Sequence, residues 1–255
     1  MFNLGHNLYM IISAIITIAV LILLSRFAKE QRHKDFALKF FAVLTVVIHY
    51  SSVYVSFFQT GTPEVGVSMI LPNYPCNVAM WLLLITAFMK NKNGKAFKLL
   101  AEMTFYLGVV GGILGVVVNE SYASTPTFTD YEVLKGMLSH STMLIGVLFL
   151  LVGNYIRIRV DNMVSIFSVL VLLLIDGGII IGICKLTGYD AAELNPMYLI
   201  EKPFEDLAWL NTGTIGLISL AVGILITVTY EQIALKEEER WYTVLKNKYE
   251  ERHQR

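Results

Sequence analysis

The sequence predicts an all-α polytopic membrane protein, a bundle of seven transmembrane helices with the N-terminus outside and the C-terminus in the cytoplasm. Three observations carry this reading. The 255 residues are 55% hydrophobic and only 16% charged, with a mean hydropathy of +0.61; that balance belongs to membrane chains. Seven apolar runs, near residues 8–26, 36–58, 73–90, 97–118, 131–154, 163–185 and 208–231, come close to the roughly 20 residues needed to cross about 30 Å of hydrocarbon. Lys and Arg sort into alternate connections: of the 20, only Lys135, Lys185 and Lys202 fall on the side opposite the rest. Cytoplasmic loops carry such an excess, so the termini lie on opposite sides and the number of spans is odd.

The zero net charge leaves no basic surface for nucleic acid. Two cysteines, Cys76 and Cys184, are too few for a disulfide scaffold. Without a CxxC or Cys/His spacing of a zinc site, no metal or cofactor is expected. The chain reads as one cell-membrane domain, 1–232, and a charged amphipathic helical tail in the cytoplasm, 233–255.

Each run has its own signature. The first follows MFNLGHNLYM, which has neither the basic flank nor the small-residue cleavage site of a signal peptide, so it reads as a retained helix. The second carries His49 about 13 residues in, roughly 20 Å up at 1.5 Å per residue. The third opens with two prolines, a cysteine and two asparagines in LPNYPCNVAMW. Polar, kink-prone backbone entering a membrane is costly unless it lines a cavity or packs on protein, which makes Cys76 and Asn77 the first candidates for a site.

The fourth run holds Gly108, Gly111, Gly112 and Gly115, at the four-residue spacing that lets helices approach closely. Packing within one protomer is the plain use of residues 97–118; a homo-oligomer seam and a lipid groove are the others. This run ends at Asn119 and Glu120, and the fifth places Ser139, His140 and Ser141 near mid-membrane. The sixth contains Asp176, beside Gly177 and Gly178. The connection 186–207 is the longest on the outer side, and connections beyond about 12–15 residues often cover a site. Pro203, Glu205 and Asp206 read as the first turn of the seventh helix, where proline and acids are favoured. In the tail, Trp241, Leu245 and Tyr249 recur every four residues, which predicts a helix extending from the seventh or lying on the inner membrane surface.

Five or six runs thus offer polar groups to the same outer half of the bundle. Each would cost about 2–3 kcal/mol facing lipid, so they are expected to face one another in a wet cavity. Singly, each has a plain explanation: Cys76 as a small core residue, His49 and His140 bonded to a neighbouring helix, Asp176 as a protonated acid fixing packing, and a Cys76–Cys184 disulfide if the two adjoin. Together they suggest chemistry. A histidine can stabilise a thiolate and a third polar group can orient it. Cys76, His140 and either Asp176 or Asn77 suit those roles, and Asn77 or backbone N–H groups near Pro75 could donate to an oxyanion.

The motifs LPNYPCNVAMW, SHSTMLIG and NPMYLIEKP, over residues 10–230, resemble the YwaF-like integral membrane proteins of bacteria. That group is similar to eukaryotic transmembrane lipid acyltransferases thought to use a membrane cysteine and histidine. The resemblance implies Cys76 as nucleophile and His140 as base, with Asn195 and Tyr198 of the outer loop binding or orienting substrate beside Asn77, His49 and Asp176. It departs in one place: the histidine that usually precedes the cysteine is absent, and Asn73 and Tyr74 stand there. The function this implies is acyl transfer among membrane phospholipids. The alternatives are a carrier or binding protein for a solute, ion or lipid, and a scaffold whose tail meets a cytoplasmic partner.

Overall fold

The computed structural model describes all residues except 1–2, 63–65, 120–121, 123–126, 161–162, 203–208, 210 and 254–255, and no side chains at 68, 248, 251 and 252. The described elements are helical: α1 (Leu4–Phe27), α2 (Gln31–His49), α3 (Ser51–Thr60), α4 (Val67–Ile70), α5 (Pro75–Phe88), α6 (Lys95–Val117), α7 (Tyr131–Val152), α8 (Val164–Thr187), α9 (Ala191–Leu194), α10 (Thr212–Ala234) and α11 (Trp241–His253). Short 3-10 turns occupy Pro196–Tyr198 and Glu237–Glu239. Helix α1, α2 with α3, α6, α7, α8 and α10 are each long and apolar enough to cross a membrane.

Two of the seven runs differ from expectation. The second is broken at Tyr50, just after His49, where α2 gives way to α3. The third is a helix of only 14 residues, about 21 Å long, and so shorter than the roughly 30 Å hydrocarbon layer. The sequence LPNYP explains this. The residue before a proline is driven to extended backbone, and Leu71 (ψ 137°) and Tyr74 (ψ 152°) are both extended. Helix α4 therefore stops at Ile70, and α5 begins only at Pro75, which suits a first helical position.

Helix α6 is the centre of the bundle. It packs on α5, α7, α8 and α10, while α2 closes the other side against α5 and α7, and α1 leans on α7. Its four glycines all face neighbours within the chain: Gly108 meets Val147, Gly112 meets Leu144, Gly111 meets Cys76 and Gly115 meets His140. Hydroxyls tie the helices together, Thr86 to Thr104 at 3.0 Å and Tyr106 to Thr227 at 2.7 Å. The outward faces of α1 (Ile11, Ile15, Ile18) and α8 (Phe167, Val171, Ile175) are exposed and apolar, as faces meeting lipid must be.

The end of the bundle with most Lys and Arg is locked by polar contacts. Lys92 Nζ donates to the α5 carbonyls of Ala87 (2.9 Å) and Thr86 (3.4 Å) and lies over the Phe97 and Tyr155 rings. Burial holds this ammonium below the ordinary lysine pKa. Tyr155 donates to Asp35 Oδ1 at 2.6 Å, and burial together with that carboxylate raises the phenol above its usual range. The tail does not continue α10: the helix stops at Ala234, and α11 begins at Trp241 after a turn. Glu231, fully buried, fixes the break by accepting from Val160 N (2.7 Å) and Trp241 N (2.9 Å).

Glu231→Ala leaves those two donors without their charged partner, so it is expected to cost about 2–3 kcal/mol, with Glu231→Gln costing less. Thermal unfolding of the purified protein in detergent measures this, with tail proteolysis reporting the loosened turn.

Candidate functional site

Cys76 is the second residue of α5, where a helix carries about half a positive charge from its aligned peptide dipoles and favours an anion. Its thiol donates to Asn77 Oδ1 at 3.4 Å, and the residue is half-buried. The backbone of Cys76 lies against Gly111, where a Cβ would come within 3.6 Å of Cys76 Cα. Gly111 is six residues from the end of α6, so the start of α5 sits roughly 9 Å inside the bundle.

His140 lies nine residues into α7 and packs its ring across Gly115, at a separation that no Cβ could share. Gly111 and Gly115 are one helical turn apart, roughly 6 Å along the axis. A single face of α6 therefore seats both the cysteine and the histidine. His140 Nδ1 and His49 Nε2 are buried, and neither has a hydrogen-bond partner. Buried polar atoms are nearly always satisfied, and these two imidazole nitrogens are left available to a polar group in the cavity.

Both groups line a cavity of about 1360 Å³ together with His49, Asn77, Tyr74 and Tyr198. It opens at the end of the bundle where α7 and α10 begin, and its deeper walls are apolar, with Leu107, Leu114, Leu170, Leu173 and Leu220 among them. Small-molecule pockets occupy about 300–1,000 Å³, so this one suits a larger, largely apolar guest.

The 195–198 loop forms part of the wall in an unexpected way. Asn195, Met197 and Tyr198 all have positive φ (39°, 53° and 54°), each a conformation costing about 1–3 kcal/mol unless its surroundings impose it. Here they do. Met197 N donates to Asn73 O at 2.7 Å, Asn73 Nδ2 reaches Leu194 O, and Thr212 donates to Tyr198 O. Gly177 makes room for Leu199 and Met197. Asn73, fully buried, thus clasps the loop from the segment just before Cys76.

The structure brings together Cys76, His140, Asn77, His49 and Tyr198. It places the others elsewhere. The Asn195 side chain holds its own loop, donating to Glu201 O and accepting from Ile200 and Glu201 N–H groups. Asp176 is not among the cavity residues, and its Oδ2 is buried without a partner. Ser141 turns to α1, bonding Tyr9 and Ser13. Cys184 is buried in a separate small cluster with Ile180 and Leu194, away from the cavity that Cys76 lines, and the two cysteines form no disulfide with each other. Glu120, Pro203, Glu205 and Asp206 lie outside the described residues; the described start of α10 is capped instead by Asn211 and Thr214. Sequence reading overlooked Lys135, Ser52 and Tyr74 as cavity residues. For Lys135 a signal existed, since it is one of three cations on the sparsely charged side.

A family model, that of the TMEM164 family, matches residues 1–230. It is a transmembrane protein family, in keeping with the multi-pass architecture. No curated protein matches the chain, and no solved structure does.

The two glycine seats differ in tolerance, and this is measurable. Gly115→Ala drives a methyl into the His140 ring and is expected to cost about 1–3 kcal/mol by overpacking. Gly111→Ala meets Cys76 at ordinary contact distance and should leave the melting temperature nearly unchanged. Equal melting temperatures for the two variants would show that His140 is not seated on Gly115.

Proposed function

The chain belongs to the TMEM164 family, and from that premise we propose that it is a membrane-embedded lipid acyltransferase working through a Cys76 thioester. The observation that supports this most is the seating of Cys76 and His140 on one face of α6, at the wall of a single large cavity. In the proposed reaction His140 takes the thiol proton as Cys76 Sγ attacks the ester carbonyl carbon of a phospholipid. The carbon–oxygen bond breaks, the acyl chain stays on sulfur, and His140 returns the proton to the departing lysolipid alcohol. An acceptor hydroxyl then gives its proton to His140 and attacks the thioester, which releases the new ester and restores the thiol. The position of Cys76 at a helix start favours the thiolate, and amide groups there suit the oxyanion.

The charge asymmetry of the loops supports a cavity mouth outside the cytoplasm, with the cell membrane as the membrane proposed here. Cytosolic acyl donors would not reach it, so the donor would be a lipid already in the bilayer. The carrier alternative is less well supported, because Asp176, its best proton-relay group, is not among the cavity residues.

Two results are expected. Cys76→Ala should abolish exchange of a labelled acyl chain between phospholipids in proteoliposomes, with folding unaffected. His140→Ala should lower it at least a hundredfold, the lower end of what a general base contributes. Exchange that continues in Cys76→Ala sinks the proposal.

A further inference from the structure

Three charged side chains line the cavity among the described residues: Asp130, Glu132 and Lys135. They are not equivalent. Asp130 caps α7 by accepting from Val133 N at 3.1 Å. The Glu132 side chain is 56% exposed, whereas that of Lys135 is only 13% exposed. The ammonium therefore sits inside the mouth, while its acidic partner stays at the rim. Lys135 Nζ pairs with Glu132 and donates to Ser52 Oγ of α3 at 3.2 Å. An ammonium has three N–H donors, and these two bonds leave one for the cavity.

An i, i+3 pair with an exposed acid repays only a fraction of the burial of an ammonium in a membrane protein. Nor is the Lys135–Ser52 bond needed to join α3 to α7, because Tyr131 already bonds Ser51 across the same seam. Lys135 stands five residues before His140 on α7, about 7.5 Å along the axis.

We propose that Lys135, with Ser52 beside it, binds the phosphate of a glycerophospholipid headgroup and so sets which end of the lipid faces Cys76. The inference rests on the acyl-transfer reading for its substrate, but binding alone tests it. In the Cys76→Ala background, equilibrium binding of a fluorescent-chain phospholipid is compared with that of a diacylglycerol bearing the same chains. The phospholipid should bind about tenfold or more tighter, as one charge-assisted hydrogen bond allows. Adding Lys135→Met should erase that preference without changing diacylglycerol affinity, and Lys135→Arg should keep most of it. A preference that survives Lys135→Met overturns the proposal, as does equal loss of both lipids or binding of neither. Displacement of the phospholipid by millimolar inorganic phosphate, with diacylglycerol unaffected, would assign the site to free phosphate instead and overturn the headgroup role. A lost preference combined with absent acyl exchange in the wild-type protein would keep Lys135 and remove only the acyl-transfer reading.

Discussion

Close approach of helix backbones at α6 is the contact on which the arrangement depends. Gly108 and Gly112 admit the side chains of Val147 and Leu144 from α7. One turn further along, the same device seats the proposed pair: the backbone of Cys76 on Gly111 and the ring of His140 on Gly115. A Cβ at most of these positions would displace a neighbour, so the packing that holds the bundle together also sets the geometry of the site. Stability and position are one constraint here.

The prolines of LPNYP act in concert with that seam. By delaying the start of α5 they bring a helix N-terminus, with its partial positive charge, inside the bundle instead of at its surface. Irregular backbone at such depth is tolerated where it lines a cavity or is held by protein. The segment before α5 meets that condition twice. Tyr74 faces the cavity, and Asn73 binds the backbone at Leu194 and at Met197. The strained Met197 and Tyr198 are held by the same contacts and by Gly177 of α8. This wall of the cavity is thus a clasped structure whose strain is offset by neighbouring packing, and the tilted rings of Tyr74 and Tyr198 meet at a centroid distance of 5.4 Å where the two segments join.

Charge is distributed with comparable economy. The end richest in Lys and Arg uses its less exposed ions structurally: Lys92 caps α5, Asp35 holds Tyr155, and Glu231, fully buried, secures the start of the tail helix. The opposite end has few cations, and one of them, Lys135, is turned into the cavity.

The sequence by itself determined that the chain is helical and crosses the membrane repeatedly, because hydropathy is summed along each run and the bilayer reads that sum. It also singled out Cys76, His140, His49 and Asn77, since polar groups in apolar runs need a shared refuge. Tyr198 came from a motif resemblance alone. What the tertiary structure decided was rotation and length. Asp176 and Ser141 are as polar as His140 and occupy comparable runs, yet Asp176 is absent from the cavity wall and Ser141 bonds to α1, because the facing of a helix depends on every contact along it at once. Asn195 turned out to hold its own loop, and the four-residue glycine spacing, legible only as close packing, became the seat of the site. Which neighbour fills a gap is a property of the assembled bundle, and no single stretch of chain contains it.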